Sequence, residues 1–115
     1  MARILVVEDE PDLRMLLQVL LASDGHEVVE AGTAEDALPL IHDADVVLLD
    51  IRLPGMSGLD LVDKLDVDVR SRIMLMSAHA DPELGAVARD LGCAGFLPKP
   101  FAMDTLVAQV SALTI

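Results

Sequence analysis

The chain has 115 residues, 8 basic against 20 acidic for a formal charge of −12, an apolar fraction of 53% and a single cysteine. That length suits one compact domain, expected to span residues 1–115, and the acid excess disfavours direct binding to nucleic acid or to an anionic membrane. Lone Cys93 excludes an internal disulfide, and no apolar run approaches the ~18 residues of a membrane span, so a soluble, cytoplasmic protein is expected.

In chain order, "RILVVED" (residues 3–9) is a short apolar run ending in acids, which predicts a first strand. Leu13, Leu16, Leu17, Leu20 and Leu21 then recur at helical spacing, with Pro11 suited to the first turn and Gly25 to the stop. "HEVVEA" (26–31) predicts a second strand. Ala34, Ala37, Leu38 and Ile41 predict a second helix behind a Thr33 cap, which Pro39 should distort by removing a backbone donor. "DVVLLDI" (45–51) reads as a third strand, broken at once by Pro54-Gly55. Leu61, Val62 and Leu65 mark a short third helix.

"RIMLMSA" (72–78) predicts a fourth strand whose methionines are core filling. Leu84, Val87, Ala88 and Leu91 predict a fourth helix, opened by Asp81 and Pro82. Cys93 reads as a small buried residue. "GFLPK" (95–99) predicts a fifth strand, and Met103, Leu106, Val107, Val110 and Leu113 a fifth helix. His26 and His42 are expected at the surface, and with His79 they lack metal-ligand spacing.

Strand and helix alternating five times call for an α/β fold: a doubly wound, five-stranded parallel sheet with right-handed crossovers. Its common strand order is 2-1-3-4-5, flavodoxin-like, with ligands bound at the carboxyl ends of the strands. Pro98 agrees, since proline belongs on an edge strand and the fifth would be one.

In that order Glu8 and Asp9, Asp50, Ser77 and Lys99, from the ends of four strands, converge on one mouth. Crowded carboxylates repel one another, and a small divalent cation such as Mg²⁺, which favours oxygen ligands and keeps several waters, relieves that repulsion. A metal site is therefore expected.

Together, "VVEDE" before the first helix, "LLDIRLPGMSG" around the third strand, "SA" at Ser77-Ala78 and "KPF" at Lys99-Pro100-Phe101 give the chain a resemblance to the receiver domain of bacterial two-component response regulators. The resemblance implies a phosphorelay switch in which Asp50 accepts a phosphoryl group from a sensor histidine kinase, a phosphotransfer protein or a small acyl phosphate. It implies that Asp9, Asp50 and the backbone carbonyl of Arg52 bind Mg²⁺ directly, with Glu8 acting mainly through water. Lys99 would pair with one phosphoryl oxygen and Ser77 would donate to another. Phe96 would be the aromatic switch, and the face made by the fourth helix, fifth strand and fifth helix would change for a downstream protein target.

The resemblance further implies a cis Lys99-Pro100 bond and a phosphoacceptor that assists its own phosphotransfer and autodephosphorylation rather than a dedicated enzyme; the length leads to the expectation of no output domain, in either a natural single-domain regulator or a receiver cut from a longer protein. One departure is Ala102, where many relatives carry an acid that caps the last helix; capping would pass to Asp104 or be lost. An alternative, a Mg²⁺-dependent phosphatase of the haloacid dehalogenase type, needs a second aspartate two residues after the nucleophile, where this chain has Arg52. A flavin carrier of the same fold would stack its ring on aromatics, and the chain has no Trp or Tyr and only 2 Phe.

Overall fold

The computed structural model describes residues 2–78 and 83–114. The strands are β1 (Arg3–Val7), β2 (Glu27–Ala31), β3 (Val46–Asp50), β4 (Ile73–Ser77) and β5 (Gly95–Pro98). They form one parallel sheet in the order β2-β1-β3-β4-β5. The expected strand order is thus observed, and Pro98 lies on the edge strand.

The two-residue period of a strand sorts each side chain to one of two cores. Leu5, Val7, Val47, Leu49, Ile73 and Leu75 pack on one face with Ala34, Leu61, Val62, Val69 and Ala88. Ile4, Val6, Val46, Leu48, Met74 and Met76 pack on the other with Leu17, Leu21, Leu106 and Val110. Because β3 and β4 are buried on both faces, they read as unbroken apolar runs rather than alternating ones.

Helix α1 (Pro11–Ser23) starts with proline at its first turn, and Gly25 beyond its end takes φ 90°. Its cap is Glu10, whose carboxylate accepts the N–H groups of Asp12 and Leu13. Leu17 and Leu21 are fully buried, whereas Leu16 stands 38% exposed beside Met15 and Val19, so the apolar stripe is wider than the buried face. Thr33 caps α2 (Ala34–Ala37), which gives way at Pro39 to a 3₁₀ segment, Leu38–Asp43. Ser57 and Asp60 form a capping box that starts α3 (Gly58–Asp63) three residues before the first apolar position of the expected helix. An unanticipated turn, α4 (Val67–Arg70), follows; of its residues only Val69 is buried, so apolar periodicity had no span in which to show.

The expected fourth and fifth helices are α5 (Glu83–Asp90) and α6 (Met103–Leu113). Asp81, Pro82 and His79 lie outside the described residues. Ala102 occupies the α6 cap position without a side-chain bond, and among the described residues Asp104 accepts the N–H of Thr105 alone.

Two expectations are corrected. His26 is not a surface residue: its side chain is 8% exposed, its Nδ1 accepts the Ala2 N–H, and its Nε2 lies 3.4 Å from Asp24. The turn after α1 brings it back beneath the first strand, so its neighbours in sequence did not reveal its burial. Cys93 is only partly buried; burial still pushes its thiol pKa up, against a smaller opposing effect from Arg70.

Candidate functional site

The carboxyl ends of β1, β3 and β5 meet in an acidic mouth. Glu8 continues the β1 pairing by one residue through its N–H to the Ala31 carbonyl, which carries its side chain into the protein, where it is fully buried. The Glu10 N–H donates to Glu8 Oε2 at 3.2 Å. Asp50 closes β3 and is 5% exposed; its Oδ1 accepts the Arg52 N–H at 3.0 Å. Asp9, next to Glu8, is exposed. Ligand atoms of Glu8, Asp9 and Asp50 all lie within 4.8 Å of one another.

Lys99 lies across these carboxylates. Its backbone N–H donates to the Ser77 carbonyl at 2.7 Å, extending the β4–β5 pairing past Pro98. The ammonium donates to Asp50 Oδ2 at 2.8 Å and makes a second, short contact with Glu8 Oε1. The Lys99-Pro100 bond is cis, as the resemblance implies.

Strand parity accounts for the grouping. Counting on from Ile4 and Val6, Glu8 falls on the α1 and α6 side of the sheet; so do Asp50, counted from Val46 and Leu48, and Lys99, two residues after Leu97. Ser77 continues the opposite parity of Ile73 and Leu75, the side on which Phe96 packs. Hence Glu8, Asp9, Asp50 and Lys99 are in direct company. Ser77, 1% exposed, adjoins them through the backbone of Lys99. Phe96, paired with Leu75 in the sheet, is half-buried beneath Ser77.

Electrostatics follows from this packing. Burial, and then the neighbouring Asp50 carboxylate, push Glu8 up to about 7 against the opposing effect of Lys99. For Lys99, burial opposes the charged form, but its bonds to Asp50 and Glu8 outweigh that and raise the ammonium pKa. One cation therefore stands among three carboxylates. An all-oxygen, hard donor set with spare negative charge fits Mg²⁺ or a similar ion.

A close approach not anticipated from sequence fixes Asp50 from behind. A Cβ on Gly58 would lie 2.3 Å from the Asp50 carbonyl oxygen, so only glycine lets the start of α3 rest against this backbone. Its sequence signal was the Ser57-x-x-Asp60 capping box, which places Gly58 at the first helical position. Beside the mouth, Leu13, Leu16, Phe101 and Met103 line an open depression of about 440 Å³ that Lys99 and Glu10 border.

A haloacid dehalogenase reading gains no support: Arg52 occupies the position of the required acid, and its backbone rather than its side chain bonds Asp50. Among the described residues, no helix is long and apolar enough to cross a membrane.

Comparison with known proteins agrees with this geometry. The family model for the response regulator receiver domain matches residues 4–111. The chain is 35% identical over 114 residues to the transcriptional regulatory protein KdpE of Mycobacterium tuberculosis, covering 97% of this chain and 50% of that protein. It is 35% identical to the DNA-binding response regulator MtrA of Mycolicibacterium smegmatis, covering 96% of this chain and 49% of that one. The chain thus spans about half the length of these curated relatives. Among solved structures, the non-phosphorylated HemR receiver domain from Leptospira biflexa superposes with a TM-score of 0.86 at 31% identity, covering 98% of this chain and 94% of that one. With its strand order, its acidic mouth and a family match over nearly its whole length, the chain belongs to the receiver domain family of two-component response regulators.

Proposed function

We propose that this receiver domain is a phosphorylation-dependent switch in which Asp50 accepts the phosphoryl group with Mg²⁺ bound among Glu8, Asp9, Asp50 and the Arg52 carbonyl. One observation carries the reading: Glu8, Asp9 and Asp50 converge within 4.8 Å, with Lys99 laid across two of them. Response regulators partner with histidine kinases, and a kinase or phosphotransfer protein is the proposed donor here.

Asp50 suits a nucleophile's task because its two oxygens are already oriented. Oδ1 is held by the Arg52 N–H and Oδ2 by the Lys99 ammonium. One carboxylate oxygen forms a P–O bond while the P–N bond of a phosphohistidine, or the P–O bond of an acyl phosphate, breaks and its electrons leave with the donor. Lys99 then moves from carboxylate to phosphoryl oxygen, exchanging one anionic partner for another. Bound Mg²⁺ would neutralise charge on the transferring group, whose loose transition state is stabilised chiefly by position and electrostatics. Water attack on the aspartyl phosphate returns Asp50 and inorganic phosphate, a reaction the domain assists in itself.

The output runs through the opposite sheet face. A phosphoryl group at Asp50 draws the Ser77 hydroxyl toward it, and Phe96, on the same face and already half-buried, turns further inward. The change then spreads over α5, β5 and α6, the surface offered to a downstream protein. The exposed apolar rim of Leu16 and Met103 beside Lys99 suits the approach of the donor protein.

The test is intact-mass spectrometry after incubation with a small acyl phosphate. One added phosphoryl group should appear on wild type with Mg²⁺, and none in chelator or on Asp50→Asn. Phosphorylation of that variant, or of wild type in chelator, would overturn the assignment.

A further inference from the structure

We propose that Arg14 is a positioning residue for the cation site: from the end of the first turn of α1 it clamps the Glu8 carbonyl and so fixes the peptide that joins Glu8 to Asp9. The inference rests on the reading of Glu8, Asp9 and Asp50 as a Mg²⁺ site.

Arg14 Nη1 donates to the Glu8 carbonyl oxygen at 2.7 Å, a short bond as expected when the donor is charged. Its Nε lies 3.6 Å from Glu30 Oε1 on β2, so the side chain joins α1, the end of β1 and the end of β2; it is 25% exposed. Gly32 leaves room for it, since a Cβ there would stand 3.2 Å from Nη1. Glu8 is already tied by its N–H to Ala31 and by its carboxylate to Glu10 and Lys99.

The Glu8-Asp9 peptide is planar, so fixing its carbonyl direction fixes the Glu8 ψ angle and with it the position of the Asp9 Cα. That position, with Glu10 held on the other side as the α1 cap, sets where the exposed Asp9 carboxylate starts from relative to buried Glu8 and Asp50. Without the clamp, a cation must order that step itself, and the entropy lost appears as weaker binding. Charge alone predicts the reverse: a guanidinium near three carboxylates competes with a divalent cation, so removing it should tighten binding. The sign of the change separates the two roles.

Arg72 is a matched control. Its Nη1 also holds backbone carbonyls, those of His42 at 3.4 Å and Ala44 at 3.2 Å, but at the opposite end of the sheet.

The experiment is Mg²⁺ titration of the full chain, followed by calorimetry and amide shifts, for wild type, Arg14→Met, Arg14→Lys, Gly32→Ala and Arg72→Met, with thermal stability measured alongside. Arg14→Met should weaken Mg²⁺ about tenfold, within the range for lost outer-shell partners. Arg14→Lys should recover part of that loss through a single donor. Gly32→Ala, which displaces the guanidinium without deleting it, should shift affinity in the same direction but less. Arg72→Met should lower stability with affinity within about twofold of wild type.

Unchanged or tighter binding by Arg14→Met overturns the proposal, as does equal weakening by Arg72→Met. If Arg14→Met does not fold, unchanged or tighter binding by both Gly32→Ala and Arg14→Lys is decisive against it. Absence of Mg²⁺ binding by wild type would remove the proposed cation site and this inference together, whereas binding by wild type with no Arg14 dependence removes only the inference.

Discussion

Replacing Gly58 by alanine tests the packing behind Asp50, the proposed phosphoacceptor. The added Cβ would lie 2.3 Å from the Asp50 carbonyl oxygen and 2.9 Å from the Ile51 Cα, both closer than real Cβ contacts come, so one of two backbones must move. Overpacking of this kind costs ~1–3 kcal/mol, and the reduced freedom of the unfolded chain returns ~0.4–1. A net loss of about 1–2 kcal/mol, at roughly 4 °C per kcal/mol for a domain of this size, lowers Tm by about 4–8 °C.

Gly85 supplies the control. It lies inside α5 with nothing within 4 Å of its would-be Cβ. Gly85→Ala should therefore raise Tm by about 2–4 °C, from the ~0.5–1 kcal/mol that separates the two residues in a helix. Thermal unfolding of both variants followed by circular dichroism is sufficient. A Tm for Gly58→Ala at or above wild type would refute the close-approach argument, and shifts of the same sign in both variants would show that general glycine effects dominate.

Glu8 and Ser77 carry the remaining predictions. The folded pKa of Glu8, about 7, lies above its ordinary 4.5, so the folded state holds that proton more tightly. Its stabilising contribution is whole below pH 4.5 and is lost as pH rises toward 7, on the order of 3–4 kcal/mol for about 2.5 pH units at ~1.4 per unit. In chelator, Glu8→Gln should therefore gain stability relative to wild type across that window; a difference independent of pH would refute the burial argument. Ser77→Ala should still be phosphorylated on Asp50 but should weaken the answer of residues 83–113 to a beryllofluoride phosphate mimic, read from amide shifts, while Phe96→Tyr should be tolerated. An equal answer in wild type and Ser77→Ala would exclude this hydroxyl from the switch.

Sequence reasoning reached the sheet because a parallel strand buried on both faces writes itself as an unbroken apolar run, and both "VVLLD" and "IMLMS" do so. Pro39 announced the break in the second helix because a missing backbone donor has only local consequences. Less legible were features that depend on distant segments. The burial of His26 is set by Ala2, and the place of Gly58 by the backbone of Asp50; neither partner is a close neighbour in sequence. Helix α4 escaped because one buried residue makes no period. At the mouth, the carboxylates and Lys99 were identifiable by residue type at strand ends, whereas the bond from Arg14 Nη1 to the Glu8 carbonyl required knowing where the chain turns.

The bonds of Lys99 to Glu8 and Asp50 span 91 and 49 residues of chain. During synthesis, at roughly 5–20 residues per second, the two acids wait several seconds before their counter-charge is made. In that interval the acidic ends of β1 and β3 have no Lys99 to offset their mutual repulsion. The residue just past the last strand thus supplies the counter-charge of the mouth, and a chain truncated before residue 99 would carry Asp50 without the ammonium that holds its Oδ2.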